Sequence, residues 1–268
     1  MPSYTSISPE TLFRLIGTPT CPLLLDVRVD EDFAQSPRLI PGSMRRDFKT
    51  TSEWANEFAG RNVIAICQRG QKLSEAVAAW LRHAGAASAD FLEGGYVAWS
   101  TAGLPSVPQA GLPPRDAKGR TIWVTRSRPK VDRIACPWLI RRFVDANAVF
   151  LFVAPAEVEA VAARFGGAAF DIDGTFWSHR GGQCTFDTML NEWGLQTEPL
   201  EKLALIIRGA GTGVLDMSPE SPGLLAASLG LSRMYADDMA QLEAGMGLYD
   251  AFYRWCRDAS DETHNWPV

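Results

Sequence analysis

The feature that most constrains the fold is an apolar strand that ends in a cysteine and leads at once into a cationic loop and a helix. In NVIAICQRGQKLSEAVAAWLRHAG, residues 62–85, the apolar run VIAI precedes Cys67, and glycine, glutamine and two cations follow it. Apolar residues then recur at helical spacing at Leu73, Val77 and Leu81, and Gly85 is placed to end the helix. The stretch predicts a strand–loop–helix unit with Cys67 at its turn.

Such a unit has chemical consequences for its cysteine. Successive backbone N–H groups and the positive end of the helix dipole face the sulfur, and the cations at Arg69 and Lys72 add to their effect. Gly70 lets the loop curl tightly without a Cβ clash. These features favour the thiolate and predict a nucleophilic Cys67. The alternative is an inert core thiol, since free cysteine is commonly buried.

The rest of the first hundred residues alternates strand and helix patterns. PLLLDVR (22–28) is a short apolar run that ends in charged residues, and ADFLEGGYVAWSTAGLP (89–105) contains a strand, a glycine turn and a helix. Alternation in this order predicts an α/β fold with a parallel sheet and helices on both faces. Ligands then bind at the carboxyl ends of the strands, where Cys67 lies.

A change of composition marks a boundary in the middle of the chain. The segment 104–120 is rich in proline and glycine and has no periodicity, so we expect a first domain over 1–107, a linker over 108–120 and a second domain over 121–268. In the second domain TIWVTR and AVFLFVA predict strands, and a further strand or hairpin is expected near FDIDGTFWSH. PAEVEAVAARFG and four later stretches predict helices. The second domain is therefore expected to be α+β with a mainly helical C-terminal half.

Composition narrows the classes of function. The formal net charge of −5 disfavours nucleic acid as a partner, although residues 115–142 hold nine Lys/Arg against two Asp and suit a small anion or acidic partner. That local charge is equally explained by a solvated face whose ionic partners lie elsewhere in the fold. Five cysteines without a C-x-x-C pair indicate reduced thiols in a cytoplasm. No secretory signal or 18-residue apolar run is evident, so we expect a cytoplasmic protein without a membrane partner.

Four stretches resemble, in order and spacing, the motifs of the rhodanese (sulfurtransferase) domain: LLLDVRVDEDF, LIPGS, CQRGQKLS and FLEGGYVAWSTAGLP. The resemblance implies that Cys67 attacks a donor such as thiosulfate, holds its outer sulfur as a persulfide and passes it to a thiophilic acceptor. It also implies that Asp26 and Arg28 brace the loop, and that no cofactor is needed. The persulfide would be cradled by the loop residues Gln68, Arg69, Gly70, Gln71 and Lys72.

The loop departs from the pattern of many active relatives in two places. Those relatives have arginine directly after the cysteine and arginine or threonine at the sixth loop position, where this chain has Gln68 and Lys72. Lys72 supplies a point charge rather than a planar fork. The expected consequence is a different donor preference, or a different rate with thiosulfate.

The second half resembles the C-terminal domain of the chromate-resistance protein family. The similarity is carried by WVTRSRPKVDRIACPWLIRRFVD and FWSHRGGQCTFDTML, and it continues through LALIIRGAGT and LEAGMGLYDAFYRWCR. This resemblance implies a link to chromate. One departure is Gly211, where the family pattern has an aspartate. DNA-based regulation is not implied, because a rhodanese-like region stands where the best-known members have a different N-terminal region.

Two groups of residues in the second half are candidates for chemistry. In IACPWLIRRF, Pro137 could start a helix and place Cys136 at its N-cap as an activated thiol; the alternative is that Cys136 packs in the core. The second group is His179, Cys184 and Asp187, which are competent metal ligands at a non-standard spacing.

Three interpretations of the second group remain open from the residues. It could bind a metal ion, with Asp171 or Asp173 as a fourth ligand, although we expect no bound metal. It could form a polar site for an oxyanion or a thiol, with Arg126, Arg133 and His179 contributing. It could also be structural hydrogen bonding.

Two functional hypotheses follow. The first is a cytoplasmic sulfurtransferase that works through a Cys67 persulfide, takes sulfur from a small donor, passes it to a thiol acceptor such as glutathione, and is linked to resistance against chromate or thiol stress. The alternative is a sensor or binding protein for chromate or a chromium–thiol adduct, which acts through the C-terminal domain.

Overall fold

The computed structural model describes residues 5–262. Its contacts divide the chain into two compact units: residues 1–112 with 141–146, and residues 113–140 with 147–268. None of the helices within 5–262 combines the length and hydropathy that a membrane span requires.

The first unit alternates short strands and helices around one parallel sheet. Its elements are β1 (Ser6–Ile7), α1 (Pro9–Leu15), β2 (Leu23–Asp26), α2 (Asp30–Gln35), β3 (Arg38–Leu39), β4 (Ser43–Arg45), α3 (Thr51–Trp54), β5 (Asn62–Ile66), α4 (Lys72–His83), β6 (Ser88–Leu92), α5 (Gly95–Thr101) and β7 (Val107–Pro108). The five sheet strands are parallel in the order β1-β6-β5-β2-β4. The predicted α/β class is confirmed.

The sheet is buried on both faces, as a parallel sheet requires. On one face Val63 and Ala65 of β5 pack in a core with Val77 and Leu81 of α4. The alternate residue of β5, Ile64, is also buried, although it points to the other face. There Phe13 of α1 contacts Trp99 of α5, with ring centroids 6.1 Å apart. Helices therefore cover both faces, and β5 delivers Cys67 at the carboxyl edge.

The proline- and glycine-rich segment has more structure than a linker implies. Its first residue, Pro108, belongs to β7, which pairs antiparallel with β3. A short 3-10 turn over Gln109–Gly111 follows. Further on, Asp116 accepts hydrogen bonds from the backbone and the side chain of Arg120, which closes a turn. Local pairing thus extends into the residues for which no periodicity was evident.

The second unit combines a small parallel sheet with a helical C-terminal half, as predicted. Its elements are β8 (Ile122–Arg126), α6 (Val131–Phe143), β9 (Val149–Val153), α7 (Val158–Phe165), β10 (Ala168–Ala169), α8 (Thr185–Trp193), α9 (Glu198–Thr212), α10 (Ser221–Met234) and α11 (Asp238–Asp258). The strands are parallel in the order β10-β8-β9. The ring of Trp123 in β8 contacts three other aromatic rings, whose centroids lie 5.7–6.3 Å from its own: Phe170, Trp177 and Trp193.

Helix α6 does not begin at Pro137. It begins at Val131 and carries Pro137 in its interior, so the N-cap interpretation of Cys136 is wrong. Cys136 has no exposed surface, which confirms the core alternative. An interior proline costs about 3 kcal/mol. The buried apolar face of α6, which includes Ile134, Trp138 and Leu139, offsets that cost through packing.

Candidate functional site

Cys67 lies directly after β5, at the floor of a loop that runs to the start of α4. Its side chain is buried, and its Sγ is 3.2 Å from the hydroxyl of Ser74 and 3.8 Å from the carbonyl of Gln71. Ser74 also donates to the Gln71 carbonyl at 3.1 Å. Ser74 is therefore the polar side chain nearest to the sulfur, and the sequence did not single it out.

Two glycines lock this loop against the turn between β6 and α5. Gly70 has φ +62°, and a Cβ there would lie 2.3 Å from the carbonyl oxygen of Leu92. Gly95 has φ +61°, and its Cβ would lie 2.3 Å from the carbonyl oxygen of Cys67. The Tyr96 N–H donates to that same carbonyl at 2.9 Å. Backbone packs directly on backbone here, so only glycine fits at both positions.

A cavity of about 460 Å³ opens above the sulfur. It is lined by Asp32, Gln35, Cys67, Gln68, Arg69, Gln71, Lys72, Leu73 and Val97. The structure thus brings together every predicted loop residue except Gly70, which packs against the turn between β6 and α5. Asp32, Gln35 and Val97 join them from helices α2 and α5.

The charged groups of the cavity form no ion pairs with other residues of the range 5–262. The side chains of Arg69 and Lys72 are exposed, and neither forms an ion pair within residues 5–262. Asp32 is half-buried and has no ion pair there either. Gln68 contributes a buried side-chain oxygen, Oε1, without a hydrogen-bond partner in that part of the chain. Unpaired groups of both signs therefore face one cavity.

Asp26 and Arg28 form a buried pair beside the loop rather than within the cavity. Arg28 donates from Nη2 to Asp26 Oδ2 at 2.6 Å and from Nε to the same carboxylate. Arg28 also donates to the carbonyls of Ser36 and Arg38, and its guanidinium carbon lies 3.8 Å from the ring centroid of Tyr96. Since the Tyr96 N–H holds the Cys67 carbonyl, the pair reaches the loop through Tyr96.

The second unit carries a polar cluster centred on the buried carboxylate of Asp171. Its Oδ2 lies 3.3 Å from both Arg126 Nη2 and Arg133 Nε. Its Oδ1 lies 3.2 Å from His179 Nε2 and accepts from the Thr185 hydroxyl at 2.9 Å. Asp171 has φ +54°, an uncommon conformation for a non-glycine residue. Three of the predicted residues, Arg126, Arg133 and His179, thus meet at one carboxylate.

Cys184 and Asp187 belong to a different set of contacts. The Asp187 carboxylate accepts the Cys184 backbone N–H at 2.9 Å, which caps helix α8, and it pairs with Arg208 at 2.8 Å. Throughout residues 5–262 no three His, Cys, Asp or Glu side chains are grouped to hold a metal ion. The structure does not assemble His179, Cys184 and Asp187 as a ligand set.

A third carboxylate, Asp132, is buried close to this cluster. It accepts the Phe186 N–H at 3.3 Å, and burial together with the negative charge of Asp171 raises its pKa to about 6. A Cβ on Gly211 would lie 2.6 Å from its Oδ2. The residue that departs from the family pattern therefore stands directly over the Asp132 carboxylate.

The pKa values of the other titratable groups of the cluster are explained by their contacts. The hydrogen bond to Asp171 raises the pKa of His179 above its usual value. Burial would raise the pKa of Asp171, but bonds from His179 and Thr185 and the charge of Arg133 outweigh it, and the pKa is lowered. Burial raises the pKa of the thiols of Cys136 and Cys184. Both cysteines are therefore poor nucleophiles.

The sequence missed several residues of these sites. Asp32 of α2 and Val97 of α5 lie in the quoted stretches LLLDVRVDEDF and FLEGGYVAWSTAGLP, but neither was singled out as a residue of the site. Asp132 precedes Arg133 in a charged stretch, and Arg208 lies in the quoted LALIIRGAGT. The sequence offered one signal for Asp132: a carboxylate next to a run of apolar residues.

Comparisons with known proteins found matches in both halves of the chain. Residues 123–256 match the family model described as the ChrB C-terminal domain, and residues 8–102 match the rhodanese-like domain. Protein ChrB of Cupriavidus metallidurans is 32% identical over 155 residues, which are 56% of this chain and 46% of that protein. The chain thus matches less than half of that relative's length.

Two solved structures are similar to part of this chain. A rhodanese-related protein from Thermoplasma volcanium is 25% identical with a TM-score of 0.34, and the match covers 39% of this chain and 98% of that one. A thiosulfate sulfurtransferase from Pseudomonas aeruginosa is 26% identical with a TM-score of 0.33, over 40% and 20% of the two chains. On the family matches, this chain belongs to the family defined by the ChrB C-terminal domain and carries a rhodanese-like domain ahead of it.

Proposed function

We propose that the protein is a sulfurtransferase that carries sulfane sulfur on Cys67. The Cys67 thiolate attacks the outer sulfur of thiosulfate, a new S–S bond forms, the S–S bond of thiosulfate breaks, and sulfite leaves with the bonding electron pair. A thiophilic acceptor then attacks the outer sulfur of the persulfide, and the electron pair of that bond returns to Cys67 Sγ.

One observation carries this proposal: the Cys67 sulfur lies on the floor of a cavity whose rim holds two cations without ion pairs in residues 5–262. A persulfide adds negative charge above Sγ, and Arg69 and Lys72 are available to stabilise it. The N-terminal end of α4 supplies a partial positive charge at the same place. Asp26 and Arg28 act here as positioning residues.

The ChrB C-terminal domain supports a link to chromate resistance. We propose that the second unit selects a substrate or partner under chromate or thiol stress in the cytoplasm. Chromate and thiosulfate are both tetrahedral dianions, so the cationic rim around Cys67 suits either. Gln68 stands where many relatives have an arginine and adds no charge to the rim, and Lys72 adds a point charge, which binds a dianion with less directional preference than a guanidinium fork.

The test is the intact mass of the protein after incubation with thiosulfate. We expect the wild type to gain about 32 Da, one sulfur atom, and to lose it when cyanide is added. Cys67→Ser should gain nothing, because an oxygen nucleophile forms no persulfide. Cys21→Ser is the control, since Cys21 does not line the cavity and burial raises its pKa to about 12. A wild type that gains no sulfur would refute the proposal.

A second candidate function rests on a separate observation, the convergence of Arg126, Arg133 and His179 on the single carboxylate of Asp171. Three groups that can carry positive charge meet there, so we propose an oxyanion site for chromate or a chromium–thiol adduct. Calorimetric titration with chromate separates the two functions. Affinity that survives Cys67→Ser and falls with Arg126→Ala supports the second site, and the opposite pattern eliminates it.

A further inference from the structure

A separate cavity in the second unit is lined mainly by positively charged side chains. Its volume of about 340 Å³ lies within the range of sites that bind small organic ligands. The lining residues come from the loop between β8 and α6 and from the C-terminal end of α10: Arg128, Lys130, Leu229, Ser232 and Arg233. None of them lines the Cys67 cavity or belongs to the residues around Asp171. The functions proposed above therefore leave this cavity unexplained.

The cavity brings together cations that the fold leaves without a carboxylate. Three arginines of the basic stretch 115–142 form ion pairs with Asp116 or Asp171 at 2.7–3.3 Å: Arg120, Arg126 and Arg133. By contrast Arg128, Lys130 and Arg233 form no ion pair within residues 5–262, and the side chains of all three are exposed. Three positive charges without ion pairs therefore line one cavity, which favours the binding of an anion.

Arg128 is held in place by both its backbone and its side chain. It has φ +57°, in the left-handed region that non-glycine residues rarely adopt. Its N–H donates to the Asp238 carboxylate at 3.1 Å, and its Nη2 donates to the Ser232 carbonyl at 2.7 Å. The carbonyl of the next residue, Pro129, accepts from Nε2 of the buried Gln241 at 2.7 Å. The loop thus fixes the guanidinium before a ligand arrives, and a carbonyl partner orients it without removing its charge.

The lining indicates an anion with several oxygens and a small apolar part. A phosphate monoester carries a charge of about −1.5 to −2 at pH 7 and presents three acceptor oxygens to the cations. Arginine binds phosphate through two parallel N–H donors, and lysine adds a point charge. Leu229 is 43% exposed and lines the same cavity, so a carbon skeleton attached to the phosphate finds apolar contact. A monocarboxylate would use fewer of the cations, and chromate has no apolar part.

We propose that this cavity binds a small organic phosphate. The phosphate group lies among Arg128, Lys130 and Arg233, and the carbon skeleton contacts Leu229. This binding site goes beyond the sulfur chemistry of Cys67 and does not depend on it.

The experiment is calorimetric titration of the full chain with three probes: phenyl phosphate, inorganic phosphate and benzoate. Inorganic phosphate keeps the anion without an apolar part, and benzoate keeps the ring with a single negative charge. We expect phenyl phosphate to bind about fivefold more tightly than either, because it alone uses the cations and Leu229 together. Added salt should weaken its binding.

Variants of exposed residues locate the site. Lys130→Gln and Arg233→Gln should each weaken the binding of phenyl phosphate roughly fivefold, through loss of one charge-assisted contact. Leu229→Ser should remove the preference for phenyl phosphate over inorganic phosphate. Arg164→Gln is the matched control for Arg233→Gln, because Arg164 is also exposed in the last turn of a helix of this unit and does not line the cavity. Thermal unfolding shows whether each variant is folded.

The outcomes are distinct. Weaker binding in Lys130→Gln and Arg233→Gln, with Arg164→Gln unchanged, would support the proposal. Equal losses in all three variants would assign binding to overall charge and overturn it. Binding that persists in the first two but is lost in Arg126→Ala or Cys67→Ser would place the ligand at another site, and absence of binding at millimolar phenyl phosphate would likewise overturn the proposal. Equal affinity for phenyl phosphate and inorganic phosphate would overturn the assignment to an organic phosphate.

Discussion

The two polar centres of the molecule satisfy their charges in opposite ways. Around Cys67 the cations Arg69 and Lys72 are exposed and have no ion pairs in residues 5–262, and the shape of the loop comes from backbone contacts. Around Asp171 the charges meet one another, since one carboxylate contacts two arginines and a histidine. The cations of the first centre remain available to a ligand, whereas the charged groups of the second centre are mostly engaged in contacts that hold the fold. Substitutions of charged residues should therefore affect chemistry in the first and stability in the second.

The largest effect is expected where the shape of the Cys67 loop depends on backbone contact. Gly70→Ala combines a strained φ with a Cβ 2.3 Å from a carbonyl oxygen, so we expect the free energy of unfolding to fall by about 3–5 kcal/mol and sulfur loading to be lost. Gly60→Ala is the control, because Gly60 has φ +72° with open space around it and should cost only about 1–2 kcal/mol. Equal losses in chemical denaturation would contradict the role of close packing.

A smaller effect, with a defined pH dependence, is expected at Asp132. Its folded-state pKa of about 6 lies above the unfolded value of 3.8, so the folded state holds a proton that the unfolded state releases between these values. Stability therefore falls as pH rises through this window, by about 3 kcal/mol in total. Asp132→Asn, which carries no charge and keeps the acceptor for Phe186, should be more stable than the wild type by about that amount at pH 7.

The same comparison at pH 4 should show almost no difference between Asp132→Asn and the wild type. His179 acts in the same direction at higher pH: its raised pKa gives stability below its unfolded value of 6.5, which is lost as pH rises through the folded-state pKa. Denaturation at several pH values measures both. A gain for Asp132→Asn that is independent of pH would show that the carboxylate is not the cause.

Next in size is the steric test of Gly211. Helix propensity alone predicts a gain when glycine becomes alanine, but the new Cβ would lie 2.6 Å from the buried Asp132 carboxylate. We expect a net loss of about 1–2 kcal/mol for Gly211→Ala. Gly230→Ala, in an open part of helix α10, should gain about 0.5–1 kcal/mol. Thermal unfolding measures both changes in stability. A gain in stability for Gly211→Ala would contradict the predicted clash.

The smallest effect on stability and a clear effect on chemistry are expected at Lys72. Lys72→Gln removes an exposed cation from the first turn of α4, so the free energy of unfolding should change by less than about 0.5 kcal/mol. The rate of loading from thiosulfate should fall on the order of fivefold and depend less on salt. Lys49→Gln, an exposed lysine outside the cavity, should leave loading unchanged. An equal loss in both variants would assign the effect to overall charge.

Much of the first unit could be predicted because its determinants are local. The apolar runs before Asp26 and Cys67 match β2 and β5, and the helical period after Lys72 matches α4. The N-cap interpretation of Cys136 failed for the same reason, and its alternative, a core thiol, was correct. Proline is a local signal for a helix start, and the packing of Trp138 and its neighbours outweighed it. The short strand β7 was missed because its pairing with β3 joins residues far apart in the sequence.

The residues of the candidate sites were likewise predictable where they are neighbours in sequence, and not where they meet only through packing. The loop residues 67–72 follow one another in the sequence, and their place at the end of a strand was predicted. The contribution of Asp32 to the cavity depends on how α2 packs beside that loop. In the second unit, His179, Cys184 and Asp187 are close in sequence, yet His179 contacts Asp171, whereas Asp187 contacts Cys184 and Arg208.

By itself the sequence determined the secondary structure around Cys67, the loop length and the charges beside the sulfur, because hydrophobic period and glycine placement act over a few residues. Only the tertiary structure decided which charges are satisfied. Burial and the negative charge of Asp171 raise the pKa of Asp132, and no hydrogen-bond donor in residues 5–262 reaches the buried Gln68 Oε1. Desolvation and hydrogen bonding depend on neighbours in space, and those neighbours come from distant parts of the chain.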